Sequence, residues 1–339
     1  MSEYARIGVD TSKSVFTLRC VDGSGGVVKR RELKRGQFAG FFERLSPCEV
    51  VLEACGGSHH WARRLAGFGH RVKLIPPQYV KPFVKRGKND RADAEAICVA
   101  AAQPGMRFVP VKSAAGQAAA LTLKLRGLLV AERTRLVNAL RGHAGEFGVV
   151  AGVGVGRVSA LLEKIASDPA VPGAAKEMLA ELGEEIARLE ARIEALEARV
   201  VAEHKANPVS VRLAAVPGIG PIGALSLALE VEAAAFASGR HFAAWLGLTP
   251  RDRSTGGKRR LGGISRAGHA RLRQLLVLGA TAVIRTAKPG GRNATAWLLD
   301  LLGRKPRKLA AVALANKMAR IVWAMMARGE EYRRSPVAA

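Results

Sequence analysis

The sequence predicts an α/β N-terminal domain, a central helical coiled-coil region and a mostly α C-terminal domain. Three observations indicate this order. Strand-like and helical segments alternate over residues 4–103, an apolar heptad repeat follows, and the remainder has helical apolar spacing around a Gly- and Arg-rich loop at 250–264. We place the domains at 1–112, 113–207 and 208–339.

The N-terminal domain begins with hairpin-like strands and continues with helices and strands in alternation. Short apolar runs bounded by turn residues are typical of strands, and apolar spacing of three and four residues is typical of helices. The predicted strands are 4–9, 14–21, 25–33, 49–54 and 71–75. The predicted helices are 36–45, 58–69 with Ser58 as its N-cap, and 91–103. This order predicts a sheet covered by helices.

The central region carries apolar residues at alternating steps of three and four. They are Leu179, Leu182, Ile186, Leu189, Ile193, Leu196 and Val200. Such a seam, with Glu and Arg beside it, predicts a coiled coil. We expect the seam to pair with the basic helical segment at 113–147 and also with another subunit, which favours a homodimer or homotetramer.

The composition indicates a nucleic-acid-binding protein with apolar cores. Of 339 residues, 48% are hydrophobic, and 54 Lys and Arg stand against 28 Asp and Glu, a formal net charge of +26. Such a surface favours a polyanionic partner. No apolar run approaches the roughly 20 residues of a bilayer span, and no signal-peptide pattern is present. The four cysteines lie far apart without a C-x-x-C pair. We therefore expect a cytoplasmic protein with reduced thiols and no membrane partner.

Four acidic residues lie where predicted strands end or a predicted helix begins. Asp10 ends "IGVD", Glu53 follows "VVL", and Asp90 and Asp93 lie in "KNDRADAEAI". Residues three apart share a helix face. If the two strand ends are neighbours, as in a ribonuclease H arrangement, all four carboxylates meet at one edge of the sheet. A divalent cation such as Mg²⁺ would relieve their repulsion and could bind phosphate oxygens.

Each acid also has a purely structural interpretation. Asp10 could be a turn residue and Glu53 an ordinary strand end. Asp90 could be the N-cap of its helix, and Asp93 could stabilise the helix dipole. The combination of all four with this element order and positive charge favours metal binding, because an acid placed directly after a buried strand is costly unless it is paired.

Two sets of motifs resemble a known family. "IGVDTSK", "VVLEACGG" and "KNDRADAEAI" resemble the DEDD signature of insertion-sequence-110 transposases, whose N-terminal domain is RuvC-like (ribonuclease H-like). "AAVPGIGPIGALSLALEVE" and "FAAWLGLTPRDRSTGGKRRLGGISRAGHARLRQLL" resemble the C-terminal transposase domain of that family. The motifs occur in the family's order, with the predicted coiled coil between them.

The resemblance implies a DNA recombinase that mobilises its own insertion sequence under the guidance of a bridge RNA. It implies that Mg²⁺ or Mn²⁺ is held by Asp10, Glu53, Asp90 and Asp93. It further implies a composite site, in which Ser254 of the C-terminal domain attacks the phosphodiester and forms a covalent 5′-phosphoserine-type link. The implied partners are donor and target DNA and the structured non-coding RNA.

Ser254 lies in "RDRSTGGKRRLGG", and Thr255, directly before Gly256, is the alternative nucleophile. Glycines allow the backbone to approach phosphate closely, and cations bind and position a phosphate backbone. The predicted nucleic-acid contacts are Lys85, Arg86 and Lys88 before the acidic helix, Gly218 and Gly220 in a turn that resembles a helix-hairpin-helix, and Arg251, Arg253, Lys258, Arg259 and Arg260 in the serine loop.

Two other functions fit part of this pattern. A RuvC-like metal-dependent nuclease or junction resolvase would need the four acids but would tolerate loss of Ser254, because water would be its nucleophile. A non-catalytic nucleic-acid-binding protein would need neither metal nor serine, but it leaves Glu53 at a strand end unexplained.

Overall fold

The fold is taken from a computed structural model, which describes residues 4–84, 89–291, 293 and 295–333. The chain forms two compact units, Met1–Gln117 and Ala118–Ala339. The first unit is mixed α/β, and the second is mostly helical, as the sequence predicts.

A five-stranded mixed sheet forms the centre of the first unit. Its strands are β1 (Arg6–Thr11), β2 (Val15–Val21), β3 (Val27–Lys34), β4 (Glu49–Glu53) and β5 (Arg71–Ile75). Their order across the sheet is β3-β2-β1-β4-β5. The first three strands pair antiparallel, whereas β4 is parallel to both β1 and β5. Each strand overlaps a segment predicted from the sequence.

Helices pack on both faces of this sheet. They are α1 (Arg35–Glu43), α2 (Ser58–Gly67), α3 (Pro77–Val80), followed by a 3-10 turn at Lys81–Phe83, and α4 (Asp90–Ala102). The burial of β4 on both sides explains its continuous apolar sequence, since Val50 and Leu52 join one core cluster and Val51 joins another.

The predicted Ser58 cap of α2 is wrong. The N-cap is Gly57, at a φ of 86°. Ser58 is the first helical residue, and its hydroxyl donates a hydrogen bond to the carbonyl of Cys55 at 2.9 Å.

The second unit contains long and short helices and one hairpin. The helices are α5 (Ala114–Glu146), which begins in the first unit, α6 (Val158–Ser167), α7 (Gly173–Ala206), α8 (Pro208–Leu213), α9 (Pro221–Glu230), α10 (Gly239–Trp245), α11 (Ala270–Thr286), α12 (Ala296–Arg304) and α13 (Arg307–Arg328). Further 3-10 turns lie at Val155–Arg157 and Ala233–Ala235. The hairpin strands are β6 (Pro250–Asp252) and β7 (Leu261–Ile264).

The predicted seam of α7 pairs with α5 inside the chain. Leu189 and Ile193 form a buried cluster with Leu129 of α5. Polar contacts flank this cluster and show that the two helices run antiparallel: Thr122–Glu203 at 2.9 Å, Arg126–Glu197 at 2.9 Å and Arg133–Glu190 at 3.8 Å. The intrachain part of the coiled-coil prediction is confirmed, and pairing with another subunit stays a prediction.

Among the described residues, α13 is long and apolar enough to cross a bilayer by length and composition alone. Its buried residues, including Ala315, Ala319 and Val322, pack in the core of the second unit. Because core helices often meet the same criterion, this is weak evidence for a membrane span.

Candidate active site

The parallel pairing of β1 and β4 brings two of the predicted acids to the same edge of the sheet. Val9 is the register partner of Leu52, so the next residues are Asp10, the penultimate residue of β1, and Glu53, the last residue of β4. Just beyond them, the hydroxyl of Thr11 lies 3.1 Å from the Sγ of Cys55.

Helix α4 supplies the other two acids. Asn89 is its N-cap, and the side chain of Asn89 accepts a hydrogen bond from the Ala92 N–H at 2.8 Å. Asp90 therefore lies inside the first turn rather than at the cap, together with Asp93. Carboxylate oxygens of Asp10, Asp90 and Asp93 all lie within 4.8 Å of one another. We call these three residues the acidic cluster.

Glu53 lies outside the acidic cluster but interacts with it electrostatically. Burial raises the pKa of Glu53, and the charge of Asp93 raises it further. In Asp10 the same causes bring the pKa from 3.8 to about 6, burial first and then the charges of Asp93, Asp90 and Glu53. The Thr11 backbone opposes this rise through a hydrogen bond. Burial and neighbouring carboxylates therefore both disfavour the ionised forms of Asp10 and Glu53.

Glu49, a buried acid elsewhere in the same sheet, is paired with cations and has a lowered pKa. Glu49 lies 2.6 Å from Arg6, 2.7 Å from Lys73 and 3.2 Å from Arg71, and the first two partners lower its pKa despite its burial. Over residues 4–84, 89–291, 293 and 295–333, no salt bridge joins a cation to the acidic cluster or Glu53. Carboxylates gathered at one point are the donor set that a hard divalent ion prefers.

Gly8 determines how closely α4 approaches the sheet. A Cβ at this position would lie 2.6 Å from the Sγ of Cys98 and 2.8 Å from the carbonyl oxygen of Ala94. Both neighbours belong to α4, the helix that carries Asp90 and Asp93. Only glycine therefore permits the packing that brings these two acids beside Asp10.

The Gly8→Ala substitution is expected to destabilise the protein by about 1–3 kcal/mol, because it overpacks this contact and moves α4. Mn²⁺ affinity should fall as well, because the acids of α4 would move away from Asp10. Urea unfolding and calorimetric titration with Mn²⁺ measure the two effects. The matched control is Gly36→Ala in α1, where an added Cβ meets no atom within 4 Å. Unchanged stability and Mn²⁺ affinity in Gly8→Ala would contradict the packing argument.

The predicted serine loop is a β-hairpin in the second unit. Strands β6 and β7 pair antiparallel, with Asp252 opposite Leu261. Thr255 and Lys258 close the turn by exchanging backbone hydrogen bonds of 3.3 and 3.0 Å. Between them, Gly256 and Gly257 have φ values of 54° and 74°, and tight hairpin turns of this kind need positive φ at both central positions.

Ser254 is fixed at the surface of this hairpin. Its N–H donates to Oδ1 of Asp252 at 2.8 Å, and its Oγ accepts from the N–H of Arg260 at 3.0 Å. The side-chain hydrogen bond between Ser254 and Asp252 is the main cause that lowers the pKa of this carboxyl. The hydroxyl is therefore oriented by a carboxylate, and the side chain remains exposed to solvent.

The other predicted nucleic-acid contacts differ in their structural setting. Gly218 has a φ of 86°, and a Cβ there would lie 2.6 Å from the carbonyl oxygen of Gly279, so the turn requires glycine for structural reasons. Gly220 is the exposed N-cap residue of α9. The hairpin residues Arg251, Arg253, Lys258, Arg259 and Arg260 are all exposed. Lys85, Arg86 and Lys88 lie outside the described residues.

Comparisons with known proteins match both units. The family DEDD_Tnp_IS110, described as "Transposase", matches residues 7–147, and the "Transposase IS116/IS110/IS902 family" matches residues 210–295. A "Putative transposase y4pF/y4sB" of Sinorhizobium fredii is 52% identical over 99% of this chain and 87% of that relative. The "Transposase for insertion sequence element IS1111A" of Coxiella burnetii is 40% identical over 98% of this chain and 92% of its own length.

A third relative, the "Transposase for insertion sequence element IS1328" of Yersinia enterocolitica, is 36% identical over 97% of this chain and 98% of its own length. The matches cover the acidic cluster, the coiled-coil region and the serine hairpin in one alignment of nearly full length. The chain belongs to the IS110 family of insertion-sequence transposases.

Proposed function

We propose that this transposase cuts and rejoins DNA with a metal-bound acidic site and a serine nucleophile, at sites selected by a bridge RNA. The observation that carries the proposal is the acidic cluster: three carboxylates within 4.8 Å of one another in a chain of net charge +26. Such a cluster destabilises the fold unless a cation binds it, so its retention at one sheet edge favours a role in chemistry.

The first unit supports a RuvC-like (ribonuclease H-like) assignment. Its first three strands form an antiparallel meander, and β4 adds in parallel beside β1. The DEDD pattern would then consist of Asp10 near the end of β1, Glu53 at the end of β4, and Asp90 and Asp93 on α4. We propose that residues 1–112 act as the catalytic metal-binding domain, 113–207 as the helical region and 208–339 as the serine-bearing domain.

The donor set of the acidic cluster fits Mg²⁺ or Mn²⁺. Asp10, Asp90 and Asp93 would supply first ligands, and Glu53 at the neighbouring strand end would be the fourth. A bound divalent ion would polarise the phosphoryl oxygens and lower the pKa of a hydroxyl. The raised pKa of Asp10 means that the acidic cluster gains most from a cation above about pH 6.

Ser254 is the proposed nucleophile. Its Oγ loses its proton and forms a bond to phosphorus as the bond between phosphorus and the leaving 3′ oxygen breaks, and the 3′ oxygen takes up a proton in turn. A 3′ hydroxyl of another strand then attacks the phosphoserine and releases Ser254, so each strand is rejoined without net hydrolysis. Asp252 orients the hydroxyl through its hydrogen bond, and the exposed Arg253 and Arg259 can bind the developing charge.

The proposed partners are donor and target DNA and the bridge RNA. The five exposed cations of the hairpin support contact with phosphate, and the basic segment that contains Lys85, Arg86 and Lys88 precedes the acidic helix. We propose that Gly220, at the N-terminus of α9, adds backbone N–H groups to this contact, with Gly218 shaping the turn.

We propose a homodimer or homotetramer, because recombination joins two DNA sites. Leu121, Leu125 and Leu128 of α5 are 60%, 41% and 64% exposed and are spaced to share one helix face. A second copy of the chain could cover this stripe.

The proposal is tested by strand exchange between donor and target duplexes, with the purified protein and an RNA transcribed from the non-coding DNA beside the gene. We expect recombinant product with Mg²⁺ or Mn²⁺, and none with EDTA or without the RNA. A protein-linked DNA intermediate should appear on denaturing gels. Nicked DNA without a protein link would instead favour a nuclease or junction resolvase, and binding without cleavage would favour a non-catalytic protein.

A further inference from the structure

A cavity of about 730 Å³ opens beside the serine hairpin, inside the second unit. Pro250 of β6 and Ile264 of β7 form one wall, and Trp297, Leu309 and Ile321 from α12 and α13 form the other. The hairpin that carries Ser254 is thus also a wall of the cavity. Its volume lies in the range of roughly 300–1,000 Å³ that is typical of ligand pockets.

The opening of the cavity exposes large apolar side chains. Trp297 is 36% exposed and Leu309 is 52% exposed. Exposed aromatic and aliphatic groups that line a concavity commonly mark a binding site. An aromatic ring is also the surface on which nucleobases stack, and such stacking tolerates any base because each has a π face.

Two cations of α13, Lys317 and Arg320, line this apolar cavity. The Nζ of Lys317 lies 4.3 Å from the centroid of the Trp297 ring, and Arg320 lies one turn further along α13 at the exposed edge. Among the described residues that line the cavity, none is acidic. An apolar interior with a cationic rim suits a ligand that has a flat apolar part and an attached anion.

One polar group has a fixed orientation in the wall. The side-chain nitrogen of Asn316 donates a hydrogen bond to the carbonyl of Leu248 at 3.3 Å. This bond uses one amide hydrogen, and the amide also has a second hydrogen and an oxygen. A carboxamide with both a donor and an acceptor matches the polar edge of a nucleobase.

We propose that this cavity receives an unpaired nucleobase of the DNA strand on which Ser254 acts. The inference rests on the proposed function, because the strand that binds in the cavity is taken to be the strand that Ser254 cuts. The base would replace the Nζ of Lys317 on the Trp297 ring and would also pack against Leu309, and its polar edge would meet Asn316. The displaced Lys317 and Arg320 would bind the phosphates on either side. An enzyme that holds one base out of the stack fixes the position of the adjoining phosphodiester.

A second copy of the chain is a poorer occupant. Every copy has a net charge of +26, so a protein segment from another copy would meet like charge at Lys317 and Arg320. Nucleic acid brings the opposite charge, and the hairpin that forms one wall of the cavity also carries the exposed cations Arg251 and Arg253.

Photocrosslinking tests the inference directly. The full-length protein is irradiated with a short single-stranded DNA that carries one iodouracil base, and the linked peptides are identified by mass spectrometry. We expect the main crosslink on the peptide that contains Trp297. Crosslinks that lie only on other peptides would overturn the proposal.

A charge placed at the opening provides the second test. Leu309→Glu adds a carboxylate at an exposed position, so the fold should tolerate the substitution. The carboxylate should weaken the binding of single-stranded DNA about 5- to 100-fold, which is equivalent to losing one stacked base. Leu278→Glu on α11 is the matched control, because Leu278 is 58% exposed and does not line the cavity. Fluorescence anisotropy with single-stranded and duplex DNA measures the affinities.

The outcomes separate this inference from the proposed function. If the wild-type protein forms the Ser254-linked product but Leu309→Glu binds single strands as Leu278→Glu does, the cavity proposal alone is wrong. If Leu309→Glu instead changes the oligomeric state in sedimentation and leaves single-strand affinity unchanged, the cavity binds protein and the proposal is again wrong. If the Trp297 crosslink forms but no covalent product does, the cavity assignment is supported and the serine mechanism fails.

Discussion

Replacing Ser254 by alanine is expected to abolish the covalent protein–DNA product and to lower strand exchange by about a thousandfold or more. Alanine removes the attacking oxygen and leaves the hairpin backbone in place, because Gly256 and Gly257 form its turn. The lost acceptor for the Arg260 N–H is exposed, so water can replace it and the free energy of unfolding should change by about 0.5 kcal/mol or less.

Thr255→Ala is the matched control for this substitution. Thr255 contributes backbone hydrogen bonds to Lys258, which alanine preserves. We expect this variant to form the covalent product, which is detected as end-labelled DNA that migrates with the protein on a denaturing gel. Product lost from Thr255→Ala but kept in Ser254→Ala would assign the nucleophile to Thr255. Product kept in both variants, and in the double variant, would rule out a hydroxyl nucleophile from this turn.

The pairing of the four acids within the strands and within the helix could be predicted from the sequence by two rules. Carboxyl ends of parallel neighbouring strands meet at one edge, which relates Asp10 to Glu53, and helix periodicity places Asp90 and Asp93 on one face. The pairing of β1 with β4 and the first turn of α4 follow both rules. The rules do not give distances, and Glu53 lies outside the acidic cluster although its charge still acts on Asp10.

The hairpin was predicted as a loop because both of its strands are short and mostly exposed. Alternation of apolar and polar residues is the signal for a half-buried strand, and β6 and β7 bury no face that would require it. Its available signal was the Gly256–Gly257 dipeptide, which is typical of tight hairpin turns. Gly8 carries a similar signal, since glycine inside a strand often marks a close approach of another element.

No local pattern in the sequence predicts the cavity. Its walls come from β6 and β7 and from helices α12 and α13, so it exists only after the second unit has folded. A sequence pattern can mark Trp297 as apolar, but it cannot distinguish a core residue from one that lines an open cavity.

Replacing Asp10 by asparagine is expected to make the metal-free protein more stable near neutral pH and to abolish strand exchange. The native pKa of Asp10 is raised from 3.8 to about 6, so the native state binds this proton more tightly than the unfolded state does. Stability therefore falls as the pH rises from about 4 to about 6, and the loss persists at higher pH. Asparagine cannot ionise, so it removes this loss together with the ligand.

Thermal unfolding in EDTA at about pH 4 and about pH 7.5 measures the effect, and Asp10→Asn should gain stability only at the higher pH. Asp22→Asn is the control, because the exposed Asp22 accepts hydrogen bonds from Ser24 and Gly26 that lower its pKa. Loss of its carboxylate should not stabilise the protein at the higher pH, and strand exchange should persist.

Added Mg²⁺ should raise the melting temperature of the wild-type protein more than that of Asp10→Asn, since an ion that binds only the native state stabilises it. If Asp10 served only to stabilise the fold, Asp10→Asn would instead be less stable than the wild-type protein at the higher pH. Mg²⁺ would then change the melting temperatures of the two proteins equally. A rise in stability that accompanies the loss of strand exchange would therefore show that the carboxylate is retained for binding metal and not for folding.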